Sequence, residues 1–215
     1  MPSVKPTKPK GGSGEIRRPG SVAMHFQLNG SGDRWASQPQ WSLWTNSASQ
    51  TEHLGILAGR LARGGEVLAL SGDLGTGKTC FVRGLAAGLG ASPGTVNSPT
   101  FVFIHEYNGR LRLAHADLFR LETGLASRDL GLDDYLNSGA VLAIEWPEKA
   151  AHELPGDRLD VRLEHKGRTM RELHFQAQGK VSKAFLFRLR RAAIRSLAQS
   201  GPAQPRPRTR RLKPR

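Results

Sequence analysis

Cysteine is all but missing: Cys80 is the single one in 215 residues. No internal disulfide can form, so a packed core must hold the chain, as suits a reducing cytoplasm. Long apolar runs are missing too. The longest, around Val67–Leu70 and Ala140–Ile144, fall far short of the ~20 residues a membrane-spanning helix needs, so no membrane contact is expected. The opening residues MPSVKPTKPK lead into Gly, Ser and Pro rather than an apolar segment, so no secretory leader is expected. No repeat of 20–50 residues is apparent.

Acid is lacking at one end. The formal net charge is +14, but it is unevenly spread. Residues 1–20 carry +4 and residues 180–215 carry +12 with no acidic side chain, which leaves −2 for residues 21–179. The basic character therefore belongs to the ends, and the expected organisation is a basic extension over 1–41, a folded unit over 42–179 and a basic extension over 180–215. Within the last, Val181–Leu197 can form an amphipathic helix, with Phe185, Leu189, Ala193 and Leu197 on one stripe and Arg188, Arg191 and Arg195 on another. Beyond it, Gly201–Arg215 is too rich in Pro and Arg to build a core. Two readings stand for these ends: an arm that grips a phosphate backbone, or a solvated tail.

In the middle, Leu54, Leu57, Ala58 and Leu61 recur with helical period over Ser49–Arg63, ended by Gly64–Gly65. Glu66–Gly72 then reads as a buried strand, and Phe81, Val82, Leu85, Ala86 and Leu89 mark a helix from Lys78 to Gly90. Further strands are expected at Phe101–Tyr107, Arg110–Asp117 and Ala140–Trp146, with a short helix at Asp129–Leu136. A hairpin of Arg158–His165 with Met170–Gln176 turns at Lys166–Gly167. Alternating strands and helices predict an α/β fold. Its sheet should be mixed, mostly parallel and flanked by helices, with a C-terminal antiparallel hairpin.

Residues Gly72–Thr79 read GDLGTGKT, a full match to the phosphate-binding loop G-x-x-x-x-G-K-[ST]. Gly72 and Gly77 let the backbone of Asp73, Leu74, Gly75 and Thr76 approach a polyphosphate, which is met by successive N–H groups and by the positive end of the following helix. Lys78 is placed to reach the β- and γ-phosphates, and the Thr79 hydroxyl to ligate Mg²⁺. A second acidic ligand belongs at the end of a neighbouring strand, where Asp117 and Glu145 are both available, to hold the metal or to orient a water. Each could equally be a turn or cap residue. Thr100, in Asn97–Thr100, offers a hydroxyl of the kind that senses a γ-phosphate, or simply a Pro-enforced turn. Trp146 could stack on a base or pack in the core. Cys80 reads as a small packing residue.

Taken in order, the strings GDLGTGKTCFVRGLA, VNSPTF, HADLFRL, LGLDDY and AIEWPE resemble one family, the bacterial ATPases of tRNA threonylcarbamoyladenosine synthesis (TsaE, formerly YjeE). The likeness runs over roughly residues 42–178. It implies a P-loop NTPase fold that binds ATP and Mg²⁺ and is required for the modification beside the anticodon. It further implies binding to the heterodimer of the transferase TsaD with its inactive paralogue TsaB, whose turnover ATP hydrolysis would reset; tRNA would be met indirectly or through the basic ends. By motif position the resemblance assigns Thr79 and Glu145 to Mg²⁺, Lys78 to the phosphates and Asp117 and Thr100 to catalysis or switching. Trp146 and Arg168 would stand near the nucleotide, and Ala48–Thr51 would approach the adenine side. Thr76, Cys80 and Phe119 replace the family's usual Ala, Thr and Tyr, and the basic ends are longer than usual.

Other classes compete. A small P-loop kinase of a nucleoside or metabolite would need a substrate lid with clustered arginines, and no segment suggests one. A GTPase would show N-K-x-D, which does not occur. A tail-driven RNA-binding protein with a vestigial loop is hard to square with Lys78, Thr79, Asp117 and Glu145 together.

Overall fold

The computed structural model describes residues 39–91, 104–121, 131–150 and 154–199. Thr100, the strand start expected at Phe101–Phe103, and the ends 1–38 and 200–215 lie outside the described residues. One mixed sheet organises them, in the order β1-β7-β6-β2-β5-β4-β3. Its strands are β1 (Gln40–Thr45), β2 (Val67–Ser71), β3 (Ile104–Tyr107), β4 (Leu113–Asp117), β5 (Val141–Glu145), β6 (Leu159–His165) and β7 (Arg171–Ala177). The centre is parallel: β2 lies between β5 and β6, and β4 joins the other side of β5. Antiparallel strands complete both edges, β3 on β4 and β7 then β1 on β6.

Alternation along the central strands divides the core in two. Leu68, Leu70, Val141 and Ala143 face helices α1 (Ala48–Leu61), α2 (Lys78–Gly88) and α4 (Lys180–Gln199). Val67, Leu142 and Ile144 face the opposite side, with Ala114, Ala116 and Leu118, under the short helix α3 (Leu132–Asn137). Buried parallel strands with apolar side chains on both faces follow from helical cover on both sides.

Helices α1 and α2 approach to backbone contact. A Cβ on Gly55 would run into Phe81 O, and one on Gly84 into Glu52 O. Helix α1 begins at an N-cap in which Ser47 Oγ accepts from Gln50 N at 3.2 Å. It stops at Leu61, short of the expected Arg63, because the N–H groups of Arg63 and Gly64 turn to the buried Glu66 carboxylate (2.8–3.0 Å). Strand β4 likewise starts later than Arg110. The Arg110 N–H donates to Leu89 O (2.8 Å), and its guanidinium spans Gly59 O and Ala62 O, so it ties the sheet to α1 and α2 instead of extending a ladder.

Two elements extend the packed unit beyond the expected 42–179. β1 starts at Gln40, burying Trp41 and Leu43 and pairing with β7 along its whole length. Helix α4 buries Phe185, Leu186, Leu189 and Ala193 in the main core. Phe185, Leu189 and Ala193 of the expected stripe thus form the packing face, and Arg188, expected on the other stripe, pairs with Glu66 at 2.9 Å.

Candidate functional site

The carboxyl ends of β2, β4 and β5 meet the amino end of α2, the place where open α/β sheets take ligands. The loop Gly72–Gly77 bridges β2 and α2. Its first turn needs glycine: Gly72 has φ +129, and a Cβ there would collide with Leu163 O on β6. Gly77 caps α2 at φ +106, so the helix opens without a side-chain cap and its first N–H groups stay available to an anion. The Thr76 side chain is buried and donates to Asp73 O (2.8 Å), which braces the loop from within. Leu74, at the tip, is 77% exposed.

Lys78 folds back over this loop. Its Nζ donates to Gly72 O at 2.6 Å and Asp73 O at 3.0 Å, and stands 3.8 Å from the centroid of the Trp146 ring. The residue is 4% exposed. Burial pushes its pKa down, opposed by the negative charge of Glu145, Glu148, Asp117 and Asp73. An ammonium held on backbone carbonyls and an aromatic face has no carboxylate partner of its own among the described residues, and phosphate oxygens would supply one.

Thr79 and Glu145 meet across the α2–β5 gap, with Thr79 Oγ1 donating to Glu145 Oε2 at 3.0 Å. A hydroxyl and a carboxylate converging at a helix start suit a hard divalent cation, which selects oxygen ligands. Asp117 lies directly opposite Glu145 in the β4–β5 register, and its Oδ1 accepts from Phe119 N at 3.0 Å. It therefore caps the turn after β4 while standing at the site. Trp146 adopts φ +58, the one positive value among described non-glycine residues. Its N–H reaches back to Leu70 O (3.1 Å), and its ring lies 5.0 Å from that of Phe119. Such a conformation costs on the order of 1 kcal/mol and turns the indole onto Lys78 instead of along the strand.

Of the residues singled out in the sequence, Gly72–Thr79, Asp117, Glu145 and Trp146 come together. Arg168 lies exposed in the turn between β6 and β7. Its neighbour Arg171 touches the loop, Nε donating to Thr76 O at 3.1 Å. Arg171 carries no local motif; His115, which binds Glu145, opens the string HADLFRL, in which only Asp117 was given to the site. Cys80 donates to Ala48 O (3.2 Å), and burial pushes its thiol pKa up, as expected of a packing residue.

Comparison with known proteins bears on this geometry. The family model described as "Threonylcarbamoyl adenosine biosynthesis protein TsaE" matches residues 45–173. The chain belongs to the TsaE family. A TsaE from Bacillus subtilis (strain 168), named a tRNA threonylcarbamoyladenosine biosynthesis protein, is 43% identical over 136 residues, 63% of this chain and 84% of that protein. The TsaE of Treponema pallidum (strain Nichols) is 41% identical over 119 residues, covering 55% and 87%. A crystal structure of YdiB from Bacillus subtilis superposes with a TM-score of 0.61 at 32% identity, over 73% of this chain and 97% of that one. The TsaE match spans the phosphate loop, the Asp117 turn and the Glu145–Trp146 corner alike. No helix among the described residues is long and apolar enough to cross a membrane.

Proposed function

We propose that the protein is a Mg²⁺-dependent ATPase that supports threonylcarbamoyladenosine modification of tRNA beside the anticodon. It would act in the cytoplasm with the TsaB–TsaD transferase pair and reset that pair between turnovers. The observation that carries this reading is the convergence at the start of α2: a glycine-turned loop, a buried Lys78 ammonium seated on backbone carbonyls, and the Thr79–Glu145 contact at 3.0 Å. The names of the relatives support the tRNA modification. They favour it over the small nucleoside or metabolite kinase that a phosphate loop alone would also allow.

In this reading Gly72–Gly77 and the α2 amino end hold the phosphates through backbone N–H groups, and Lys78 leaves its carbonyl seats for the β- and γ-oxygens. Thr79 and Glu145 would hold Mg²⁺, which would supply positive charge against the phosphates. Asp117 faces the same space and can orient a water. The family pattern would add Thr100 and Arg168 to this set, and Trp146 would flank the nucleotide. Leu74 and Phe119, exposed beside the loop, leave the γ-phosphate side open, so turnover should be slow until the transferase pair covers it.

The test is calorimetry of ATP binding with Mg²⁺, followed by reconstitution with the transferase pair and tRNA. Wild-type protein should bind ATP and sustain modification over many turnovers; Lys78→Ala and Thr79→Ala should not sustain modification. Full modification activity in either variant overturns the mechanism, and phosphorylation of a small acceptor without partners would assign a kinase.

A further inference from the structure

The Glu145 carboxylate divides its two oxygens. Oε2 accepts from Thr79, and Oε1 accepts from His115 Nε2 at 2.9 Å. His115 is fully buried on β4, and Glu145 is 2% exposed. In the parallel register His115 faces Ala143, whose methyl leaves room for the imidazole to lean along the sheet toward Glu145, two residues further on β5. The other ring nitrogen, Nδ1, is buried with no hydrogen-bond partner among the described residues.

This pairing has a chemical consequence. A buried carboxylate needs a donor, and an arginine or lysine in that place would cancel the negative charge that a divalent cation requires. An imidazole donating from Nε2 binds one oxygen and leaves the other to Thr79. The partnerless Nδ1 fits that tautomer, because a second N–H there would be buried without an acceptor. Metal-binding groups are commonly oriented by such outer hydrogen bonds. A core histidine kept only for packing would not need its one bond spent on this carboxylate.

We propose that His115 is the positioning residue of the cation site: it holds Glu145 in the one orientation that aims Oε2 at Thr79. The inference rests on the nucleotide reading above. It assigns to His115 no contact with nucleotide and no proton transfer.

The experiment compares ADP binding in EDTA with ADP binding in Mg²⁺, for wild type, His115→Leu and His115→Gln. The ratio of the two dissociation constants isolates the cation's share. In His115→Leu the ratio should fall about tenfold or more, while binding in EDTA stays as in wild type. His115→Gln, whose amide N–H can occupy the Nε2 position, should restore most of it. An unchanged ratio in folded His115→Leu, or equal losses in the Leu and Gln variants, overturns the proposal. A second measurement needs no variant: ¹⁵N correlation spectra of wild-type protein should show His115 as the Nε2–H tautomer with a slowly exchanging proton. The Nδ1–H tautomer would overturn it. If wild-type protein takes up no ADP in either condition, the nucleotide reading fails instead.

Discussion

Thr79 and Glu145, 66 residues apart in the chain, join their side chains at 3.0 Å where α2 starts and β5 ends. A contact of this kind should be cooperative in function. We predict that Thr79→Ala and Glu145→Ala each weaken Mg²⁺-dependent nucleotide binding by about ten- to a hundredfold, the range for a charge-assisted partner lost. The double variant should lose far less than the product of the two, since both act through one ion. Titration calorimetry with and without Mg²⁺ closes this cycle, and simple additivity would mean that the two residues serve separate ends.

Close approach of α1 and α2 sets a second expectation. Replacing Gly84 by Val would drive a side chain into the Glu52 carbonyl, backbone that cannot swing aside. The cost should be about 3 kcal/mol or more by denaturant unfolding, since overpacking against rigid neighbours strains both helices. Gly156 provides the control: a Cβ there would meet nothing within 4 Å, and Ala should be nearly neutral or slightly stabilising. Equal effects at both positions would show that the helices can separate freely.

Asp157 anchors the start of α4, its carboxylate accepting from Val181 N (2.7 Å) and Ser182 N (2.9 Å). Burial works against the ionised form, but these N–H groups and the Ser182 hydroxyl outweigh it and hold the carboxyl below its usual pKa. A depressed folded-state value contributes stability above the unfolded carboxylate pKa, and this is lost as pH falls through the folded value. Asp157→Ala should therefore cost about 1 kcal/mol at neutral pH, as for a lost helix cap, and flatten the acid side of the stability profile. Thermal melts across the acidic range decide it; parallel profiles for both proteins would remove Asp157 from the account.

How much of this could be read before folding depends on whether the relevant residues are neighbours in sequence. The phosphate loop was legible because GDLGTGKT is contiguous, and the hairpin of β6 and β7 because Lys166–Gly167 separates two alternating runs. β1 was overlooked although Trp41, Leu43 and Thr45 alternate. Its partner is β7, 136 positions away for the pair Gln40 and Gln176, and no local turn announces that pairing. The stripe of α4 was visible, but not what it packs on: Phe185 and Leu189 close the core over strands laid down much earlier. His115 was visible only as the first letter of HADLFRL, and the β4–β5 register is what brings it to Glu145.

That revised place of α4 changes how the basic end must be tested. Removing residues 180–215 would strip Phe185, Leu186 and Leu189 from the core and unfold the protein, so any loss of RNA binding would say nothing about charge. A cut after Gln199 removes Arg206, Arg208, Arg210, Arg211, Lys213 and Arg215 and keeps the helix whole. Arg188, inside the helix, is already engaged by Glu66, whereas the segment past the cut holds no acidic residue to compete for its cations. If the end grips phosphates, truncation should lower the slope of log affinity against log salt for single-stranded RNA by up to about four, at roughly 0.7 per phosphate contact. Melting temperature and nucleotide affinity should not change. An unaltered salt slope in the truncated protein would assign the basic end to solubility and leave tRNA to the transferase partners.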